Sequence, residues 1–134
     1  MNAVAEPLVL VVDDYDDARE MYAESLLASG FRVAEAADGA KAVELARSLN
    51  PDVILMDLSL PGIDGWEATR RLKADAQTQH IPVVALTGHA LSSALDAARE
   101  AGCDCLVVKP ALPDVVLAEV RRAISRRQPL DAVP

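Results

Sequence analysis

A short apolar run that ends in a carboxylate restricts what this chain can fold into more than any other feature. Residues 53–56 are apolar, Asp57 follows directly, and a Pro61-Gly62 pair lies four residues further on. An apolar run of this length between chain breakers is typical of a strand buried on both faces. Burying an Asp at the end of this strand costs free energy unless other groups bond to it. Its presence therefore indicates either bonding partners or a functional role. Because ligands of open parallel sheets bind beyond the carboxyl ends of the strands, Asp57 is the first candidate for a working residue.

The remainder of the chain repeats this pattern. Apolar or alternating runs predict strands at 8–12, 31–36, 53–57, 81–86 and 105–108, and the alternating run at 31–36 is typical of a half-exposed edge strand. Helical spacing predicts five intervening or following helices, of which the fourth spans 91–101 and the fifth 112–127. Five strands that alternate with five helices call for a parallel sheet with helices on both faces and right-handed crossovers. The predicted fold class is therefore three-layer, doubly wound α/β.

Several individual positions in these helices can be assigned in advance. Gly30 and Gly102 are predicted helix stops, and Pro113 is tolerated in the first turn of the last helix. Asp38 is the predicted N-cap of the second helix. In the first helix the apolar positions Ala18, Met21, Tyr22 and Leu26 recur at helical spacing. In the second helix the residues expected to face inward are Ala40, Val43, Ala46 and Leu49.

Length and charge limit the function classes. The 134 residues suit one domain, predicted at 1–127, with 128–134 as a disordered tail. A net charge of −8 argues against a face that binds nucleic acid. The chain has neither an apolar stretch of the ~20 residues that span a bilayer nor a basic segment before an apolar core at its start. We therefore expect a cytoplasmic protein in which Cys103 and Cys105 are free thiols and not metal ligands.

Polar residues stand at the end of four predicted strands. Strand one is followed by Asp13 and Asp14, strand three ends in Asp57, strand four meets Thr87, and strand five meets Lys109. Taken singly, these residues could be a helix cap, a turn hydroxyl or a solvated charge. The carboxyl ends of parallel strands share one edge of the sheet, so we expect the five side chains to converge on a single site.

Three close carboxylates repel one another, and this raises their pKa values or recruits a cation. A hard divalent ion such as Mg²⁺ takes few carboxylates and keeps positions open for phosphate oxygens. One carboxylate could then act as nucleophile toward a phosphoryl group, with Lys109 and the Thr87 hydroxyl binding its oxygens. The chain contains neither a P-loop nor a G-x-G-x-x-G sequence, so a phosphorylated protein or a small phosphodonor is the expected donor.

These motifs closely resemble the response-regulator receiver domains of two-component signalling, including the chemotaxis regulators. The matching stretches are LVVDD at 10–14, MDLSLPGIDG at 56–65, LTGHA at 86–90, and 102–110 with its terminal Lys109-Pro110. The resemblance implies the strand order 2-1-3-4-5 of flavodoxin-like sheets. It also implies a Mg²⁺ site in which Asp14, Asp57 and the backbone carbonyl of Ser59 are direct ligands and Asp13 acts mainly through water.

The same resemblance makes Asp57 the phosphoacceptor, with Thr87 and Lys109 each bound to a phosphoryl oxygen and a cis bond between Lys109 and Pro110. It implies a histidine kinase or phosphotransfer protein as donor and a downstream protein as target, with no activity as an enzyme beyond self-catalysed phosphoryl transfer and autodephosphorylation. The fourth and fifth helices are a candidate surface for a homodimer. The chain could serve as a shuttle, a sink or an allosteric partner in a phosphorelay, or be a piece of a hybrid kinase.

Two positions depart from the family pattern. Leu106 stands where receivers usually carry Tyr or Phe, and Ala111 stands where Phe is common, so the usual aromatic switch is absent. Ser59 and His89 are expected at the mouth of the site, where they would tune the lifetime of the phosphoryl group. Two alternatives stay open: a binding module that signals without phosphorylation, and a phosphohydrolase with an Asp nucleophile. The intact acidic residues and Lys109 argue against the former, and the absence of an acid at Ser59 against the latter.

Overall fold

The computed structural model describes residues 6–88 and 92–127. Strands and helices alternate throughout, as predicted. The strands are β1 (Leu8–Val12), β2 (Arg32–Ala36), β3 (Val53–Asp57), β4 (Val83–Thr87) and β5 (Cys105–Val108). The helices are α1 (Asp16–Ala28), α2 (Gly39–Leu49), α3 (Gly65–Ala74), α4 (Ser92–Ala101) and α5 (Pro113–Arg127). The predicted tail at 128–134, His89 and the predicted start of the fourth helix at Leu91 lie outside the described residues.

All strand pairs are parallel, and the order across the sheet is β2-β1-β3-β4-β5. The predicted doubly wound, flavodoxin-like arrangement is therefore confirmed, with the alternating strand β2 at an edge. In the register, Val12 pairs with Met56, Asp57 with Leu86, and Thr87 with Val108. This register places the carboxyl ends of β1, β3, β4 and β5 within two residues of one another across the sheet.

Two apolar layers cover the faces of the sheet. One contains alternate residues of the strands with residues of α2 and α3, such as Ile54, Met56 and Leu72. The other contains the remaining strand residues with residues of α1 and α5, such as Leu55, Leu26 and Val120. Every residue of β3 and β4 is buried, because strands covered on both faces expose neither set of side chains. Each fully buried Leu, Val or Ile contributes roughly 1.5–3 kcal/mol relative to an exposed one.

The inward face predicted for α2 is partly wrong. Val43 and Ala46 are buried as expected, but Leu49 is 44% exposed and Ala40 is also exposed. Ala40 and Leu49 are nine residues apart, which places them about 180° apart around a helix of 3.6 residues per turn. Ala42 completes the buried stripe instead.

In α1, Met21 is one of the apolar positions at helical spacing, yet it is 39% exposed. Tyr22 and Leu26 on the same helix are buried. Met21 and Tyr22 are adjacent, so their side chains point about 100° apart around the helix axis, and only one of them can lie at the centre of the buried stripe.

The predicted helix caps agree with the structure, and α5 begins at Pro113, one residue after its predicted start at Leu112. Asp38 caps α2 by accepting a hydrogen bond from the Lys41 N–H at 2.8 Å. Gly30 and Gly102 follow α1 and α4 with φ angles of 94° and 96°, and Pro113 opens α5. Among residues 6–88 and 92–127, none of the helices combines the length and hydropathy needed to cross a bilayer.

Cys103 and Cys105 are free thiols, each half-buried, as the sequence predicts. Cys105 lies in β5 and packs against the layer under α1 and α5, whereas Cys103 precedes the strand and packs against the layer under α2 and α3. Their side chains therefore point apart, which rules out a disulfide between them in this fold.

Candidate functional site

The structure brings together most of the side chains predicted to converge at the carboxyl edge of the sheet. One carboxylate oxygen from each of Asp13, Asp14 and Asp57 lies within 4.8 Å of the others. We refer to these three residues as the acidic cluster. Lys109 Nζ reaches into it, 3.4 Å from Asp57 Oδ2 and 3.5 Å from Asp13 Oδ2. Thr87 is buried at the end of β4, between the strand of Asp57 and the strand that precedes Lys109.

Asp57 is a buried carboxylate whose two oxygens have different neighbours. The residue is only 4% exposed. Its Oδ1 accepts a hydrogen bond from the Ser59 N–H at 3.2 Å, whereas Oδ2 faces Lys109. Burial raises the pKa of Asp57 above its ordinary value, and the Ser59 N–H and the Lys109 ammonium oppose that shift. The site therefore holds a carboxylate whose charge is poorly solvated and in need of a cation.

Lys109 supplies part of that positive charge. Burial lowers its pKa, but the attraction of Asp57 and Asp13 and the hydrogen bonds to them raise it by more, so the net pKa lies above the ordinary value. The ammonium is thus charged at neutral pH. Its backbone N–H also donates to the Thr87 carbonyl at 2.6 Å, which fixes the residue beside the end of β4.

The loop between β1 and α1 presents the other two carboxylates. The Asp13 N–H donates to the Ala36 carbonyl at 3.1 Å, and Asp13 Oδ1 accepts from the Tyr15 N–H at 2.9 Å. Asp13 is buried whereas Asp14 is exposed. Sequence reasoning missed Arg19, whose Nη1 donates to the Asp13 carbonyl at 2.8 Å. A bond to a backbone carbonyl leaves no signature in the residue types, so nothing in the sequence singled out Arg19.

On the other side of the site, the start of α3 lies close to the backbone at the end of β3. A Cβ atom at Gly65 would collide with the Asp57 carbonyl and the Leu58 Cα, so only glycine allows α3 to begin so near the strand. Asp64 caps this helix through the Glu67 N–H at 2.9 Å. Ser59 is exposed between these two features. Its position agrees with the predicted mouth of the site, whereas the proposed contact of its carbonyl with a metal stays a prediction.

The donor set of the acidic cluster suits a small hard cation. All three side chains offer carboxylate oxygens, the ligands that Mg²⁺ prefers. Two of the residues are buried and hold their oxygens in place, while the exposed Asp14 leaves the outer side of the site accessible. Within the described part of the chain, this is the one group of three or more His, Cys, Asp or Glu side chains placed closely enough to hold a metal ion.

A doubly wound parallel sheet with carboxylates and a lysine at its carboxyl edge defines a class of α/β domains equipped to handle a phosphoryl group beside a divalent cation. The family model described as the response regulator receiver domain matches residues 9–121. The chain therefore belongs to the response regulator receiver family, whose members are phosphoacceptors that signal through protein partners.

Relatives and solved structures agree with this assignment. The polar-differentiation response regulator DivK of Brucella ovis is 36% identical over 102 residues, which cover 76% of this chain and 83% of DivK. The chemotaxis protein CheY4 of Vibrio cholerae superimposes with a TM-score of 0.85 at 29% identity, over 89% of this chain and 99% of CheY4.

The receiver domain of the sensor histidine kinase PA1611 from Pseudomonas aeruginosa superimposes with a TM-score of 0.83 at 32% identity, over 90% of this chain and 99% of that domain. That structure has a magnesium ion coordinated in its active-site cleft. The neighbour therefore binds, in its own cleft, the metal for which the donor set of the acidic cluster is suited.

Proposed function

We propose that Asp57 accepts a phosphoryl group from a histidine kinase or a phosphotransfer protein in a reaction that requires Mg²⁺. The main support for this proposal is the environment of Asp57. A buried carboxylate, Asp57, lies in a group of three carboxylates with one of its oxygens 3.4 Å from the Lys109 ammonium. A structural ion pair would need one carboxylate, and the surplus of negative charge beside a single lysine favours a cation-dependent site.

The metal would be held by Asp14, Asp57 and the backbone carbonyl of Ser59, with Asp13 acting through water. When bound, Mg²⁺ supplies positive charge that offsets the carboxylates and the incoming phosphoryl oxygens. The magnesium-bound receiver domain of PA1611 supports this proposal. The chemistry of the donor set supports it independently of any relative, because the three side chains offer only hard oxygen ligands.

The chain's own residues would then carry out the transfer. An oxygen of Asp57 attacks phosphorus, a new P–O bond forms, and the P–N bond to the donor imidazole breaks with its electron pair leaving on the donor nitrogen. The product is an acyl phosphate on Asp57. Lys109 and the Thr87 hydroxyl would bind two of the phosphoryl oxygens, and Lys109 already lies where such an oxygen must arrive.

The alternative of a multiple-turnover phosphohydrolase is less well supported. Ser59, two residues after the nucleophile, is an exposed hydroxyl side chain and cannot protonate a leaving group as a carboxylic acid would. A binding module that signals without phosphorylation would not need three carboxylates and a lysine in contact. We therefore favour a phosphoacceptor that catalyses only its own phosphoryl transfer and dephosphorylation.

The signal would leave through the surface of α4, β5 and α5, toward a downstream protein, and the same helices could pair two copies of the chain. Leu106 on β5 is partly buried against the layer under α2 and α3. It cannot make the change in hydrogen bonding that a tyrosine there would make. The proposed place of action is the cytoplasm, where the kinase domains that phosphorylate receivers act.

Acetyl phosphate with Mg²⁺, followed by intact-mass measurement, tests the phosphoacceptor. The native chain should gain one phosphate, and Asp57→Asn should gain none. The matched control is Asp17→Asn, which removes an exposed carboxylate of α1 outside the acidic cluster and should be labelled normally. An undiminished adduct in Asp57→Asn would overturn the assignment, and repeated turnover without an adduct would favour the hydrolase.

A further inference from the structure

Helix α1 contacts both of the loops that supply charged groups to the site. Arg19 Nη1 donates to the carbonyl of Asp13 in the loop after β1, at 2.8 Å. Tyr22, three residues further along the same helix, donates its hydroxyl hydrogen to the carbonyl of Ala111 in the loop after β5, at 3.0 Å. Residues three apart lie on the same side of a helix, so one face of α1 is bonded to both loops.

Of these two hydrogen bonds, the one from Tyr22 depends more strictly on the residue type. The residue is only 4% exposed, and its ring packs in the layer under α1 and α5. Burial raises the pKa of its phenol, so the hydroxyl keeps its proton at neutral pH and acts as the donor. A phenylalanine would fill the same apolar space, so packing alone does not explain the hydroxyl. The hydroxyl bonds to the backbone at Ala111, two residues after Lys109.

That location matters for the position of Lys109. The Lys109 N–H donates to the Thr87 carbonyl and holds the start of the loop at the end of β4. The Tyr22 hydroxyl holds the loop again at Ala111, just before α5 begins at Pro113. The side chain of Lys109 is long and flexible, and the backbone contacts on both sides of it fix the point from which it reaches Asp57.

Arg19 plays the corresponding part for the acidic loop. Besides the Asp13 carbonyl, its guanidinium donates to Asp16 Oδ1 at 2.7 Å and to Glu35 Oε1 at 3.1 Å. Its side chain is only 15% exposed. One guanidinium therefore ties the loop that carries Asp13 both to α1 and to the edge strand β2. Its rigid fork of donors suits such a three-way contact better than a lysine would.

We propose that Tyr22 and Arg19 are positioning residues: Tyr22 sets the place of Lys109, and Arg19 sets the place of Asp13 and Asp14. This inference rests on the proposed function, because it assigns separate parts of the phosphoryl-transfer site to two bonds from one helix. Loss of the Tyr22 bond should affect phosphoryl transfer more than metal binding. Loss of the Arg19 bond should affect metal binding first.

The test compares Tyr22→Phe with Tyr15→Phe, its matched control. Tyr15 is 64% exposed, and among the described residues its hydroxyl bonds only to the Asp17 carboxylate, at 3.4 Å. Amide hydrogen exchange should rise by about fivefold at Lys109 in Tyr22→Phe, because its N–H is bonded to the Thr87 carbonyl and the loop is held less firmly once the Tyr22 bond is lost. Phosphorylation by acetyl phosphate should slow by a similar factor, while the Mg²⁺ affinity read from the fluorescence of Trp66, the single tryptophan, should not fall.

Arg19→Gln and its control Arg70→Gln complete the comparison, since Arg70 is exposed and bonds only to Glu67 within the described residues. Arg19→Gln should weaken Mg²⁺ binding by about fivefold and speed exchange at Asp13 and Tyr15, whose N–H groups are hydrogen-bonded, with exchange at Lys109 unchanged. Transfer and exchange in Tyr22→Phe equal to those in Tyr15→Phe would overturn the proposal. So would parallel losses of metal affinity and transfer in step with a lower Tm, because they mark general destabilisation.

The failure of the proposed function would look different. A native chain that binds no Mg²⁺ and takes no phosphate would refute the proposed reaction in every sample. The exchange rates of the two loops would still show whether Tyr22 and Arg19 hold them independently. If the amides of both loops exchange as in the controls, the positioning roles are refuted as well. If each variant speeds amide exchange only in the loop that its residue contacts, the positioning roles are supported.

Discussion

Lys109 Nζ lies 3.4 Å from Asp57 Oδ2 and joins the chain after the edge strand β5 to the end of the central strand β3. The same ammonium lies 3.5 Å from Asp13 Oδ2, after β1. One cation thus bridges two of the three carboxylates that would also hold a metal. Lysine and Mg²⁺ therefore share ligands, and each should weaken the binding of the other while both assist the incoming phosphoryl group.

Lys109→Gln tests this relationship because it removes the charge with little change in length. We expect Mg²⁺ affinity to rise a few-fold, since a competing cation is gone, and the rate of phosphorylation to fall roughly 100-fold, the usual effect of losing one group that stabilises charge in a transition state. Calorimetric titration and intact-mass time courses measure the two quantities. Lys41→Gln, which removes an exposed lysine of α2, should change neither. Weaker Mg²⁺ binding in Lys109→Gln would contradict the competition.

Asp14→Ala should weaken Mg²⁺ binding by at least about tenfold, because a direct carboxylate ligand is lost. The fold should be unaffected, since Asp14 is exposed. Phosphorylation should be abolished by EDTA in the native chain, because a phosphoryl group adds roughly −1.5 to −2 charge to a site with three carboxylates. Asp17→Ala serves as the control. Labelling that persists undiminished in EDTA would refute the requirement for a metal.

Ser59→Asn should shorten the lifetime of the phosphorylated state. Ser59 is exposed beside the site, and its small hydroxyl is poorly suited to orient an attacking water, whereas a carboxamide can donate and accept hydrogen bonds at once. The measurement is the decay of the phosphate adduct by mass after removal of acetyl phosphate. Equal decay rates in the two proteins would show that Ser59 does not tune the lifetime.

Cys105 should be an unreactive thiol. Burial, together with the Glu119 carboxylate 3.2 Å away, raises its pKa to about 11. Since only the thiolate reacts, alkylation by iodoacetamide at pH 8 should be about 100-fold slower than for a thiol with the ordinary pKa, and the rate should climb with pH toward 11.

The variant Glu119→Gln should lower this pKa and speed the alkylation of Cys105, measured in a Cys103→Ser background. Glu100→Gln, which changes an exposed glutamate of α4, is the control and should leave the rate unchanged. A pH profile with its midpoint near the ordinary thiol value would contradict the burial that the structure shows.

Leu106 should reduce the free-energy difference between the two conformations that phosphorylation can produce. A ligand shifts a conformational equilibrium only by its differential affinity, and about 5.5 kcal/mol is needed to go from 1:99 to 99:1. Without an aromatic hydroxyl at 106, we expect a smaller gap and partial activity before phosphorylation. Amide NMR shifts with the phosphoryl mimic beryllofluoride should extend through α4 to Leu106, and Leu106→Tyr should enlarge them. Shifts confined to the Asp57 loop would exclude this surface as the output.

The sequence alone was sufficient for the fold class and for most of the site. Apolar runs such as 53–56 end at polar residues, and local periodicity together with the parallel-sheet rule places Asp13, Asp57 and Lys109 at one edge without coordinates. The same local reasoning misjudged Ala40 and Leu49, because a repeat of three residues winds around a helix and cannot say which part faces the sheet.

Only the tertiary structure showed how the site is held. Arg19 and Tyr22 bond to backbone carbonyls, which every residue carries, and Tyr22 meets Ala111 across 89 residues of chain. Residue types record side-chain chemistry, but not which carbonyl a donor reaches after folding. The sequence by itself therefore determined which groups this protein brings to its site. Long-range packing of α1 against two loops decided where those groups stand, because such contacts depend on the positions of elements far apart in the chain.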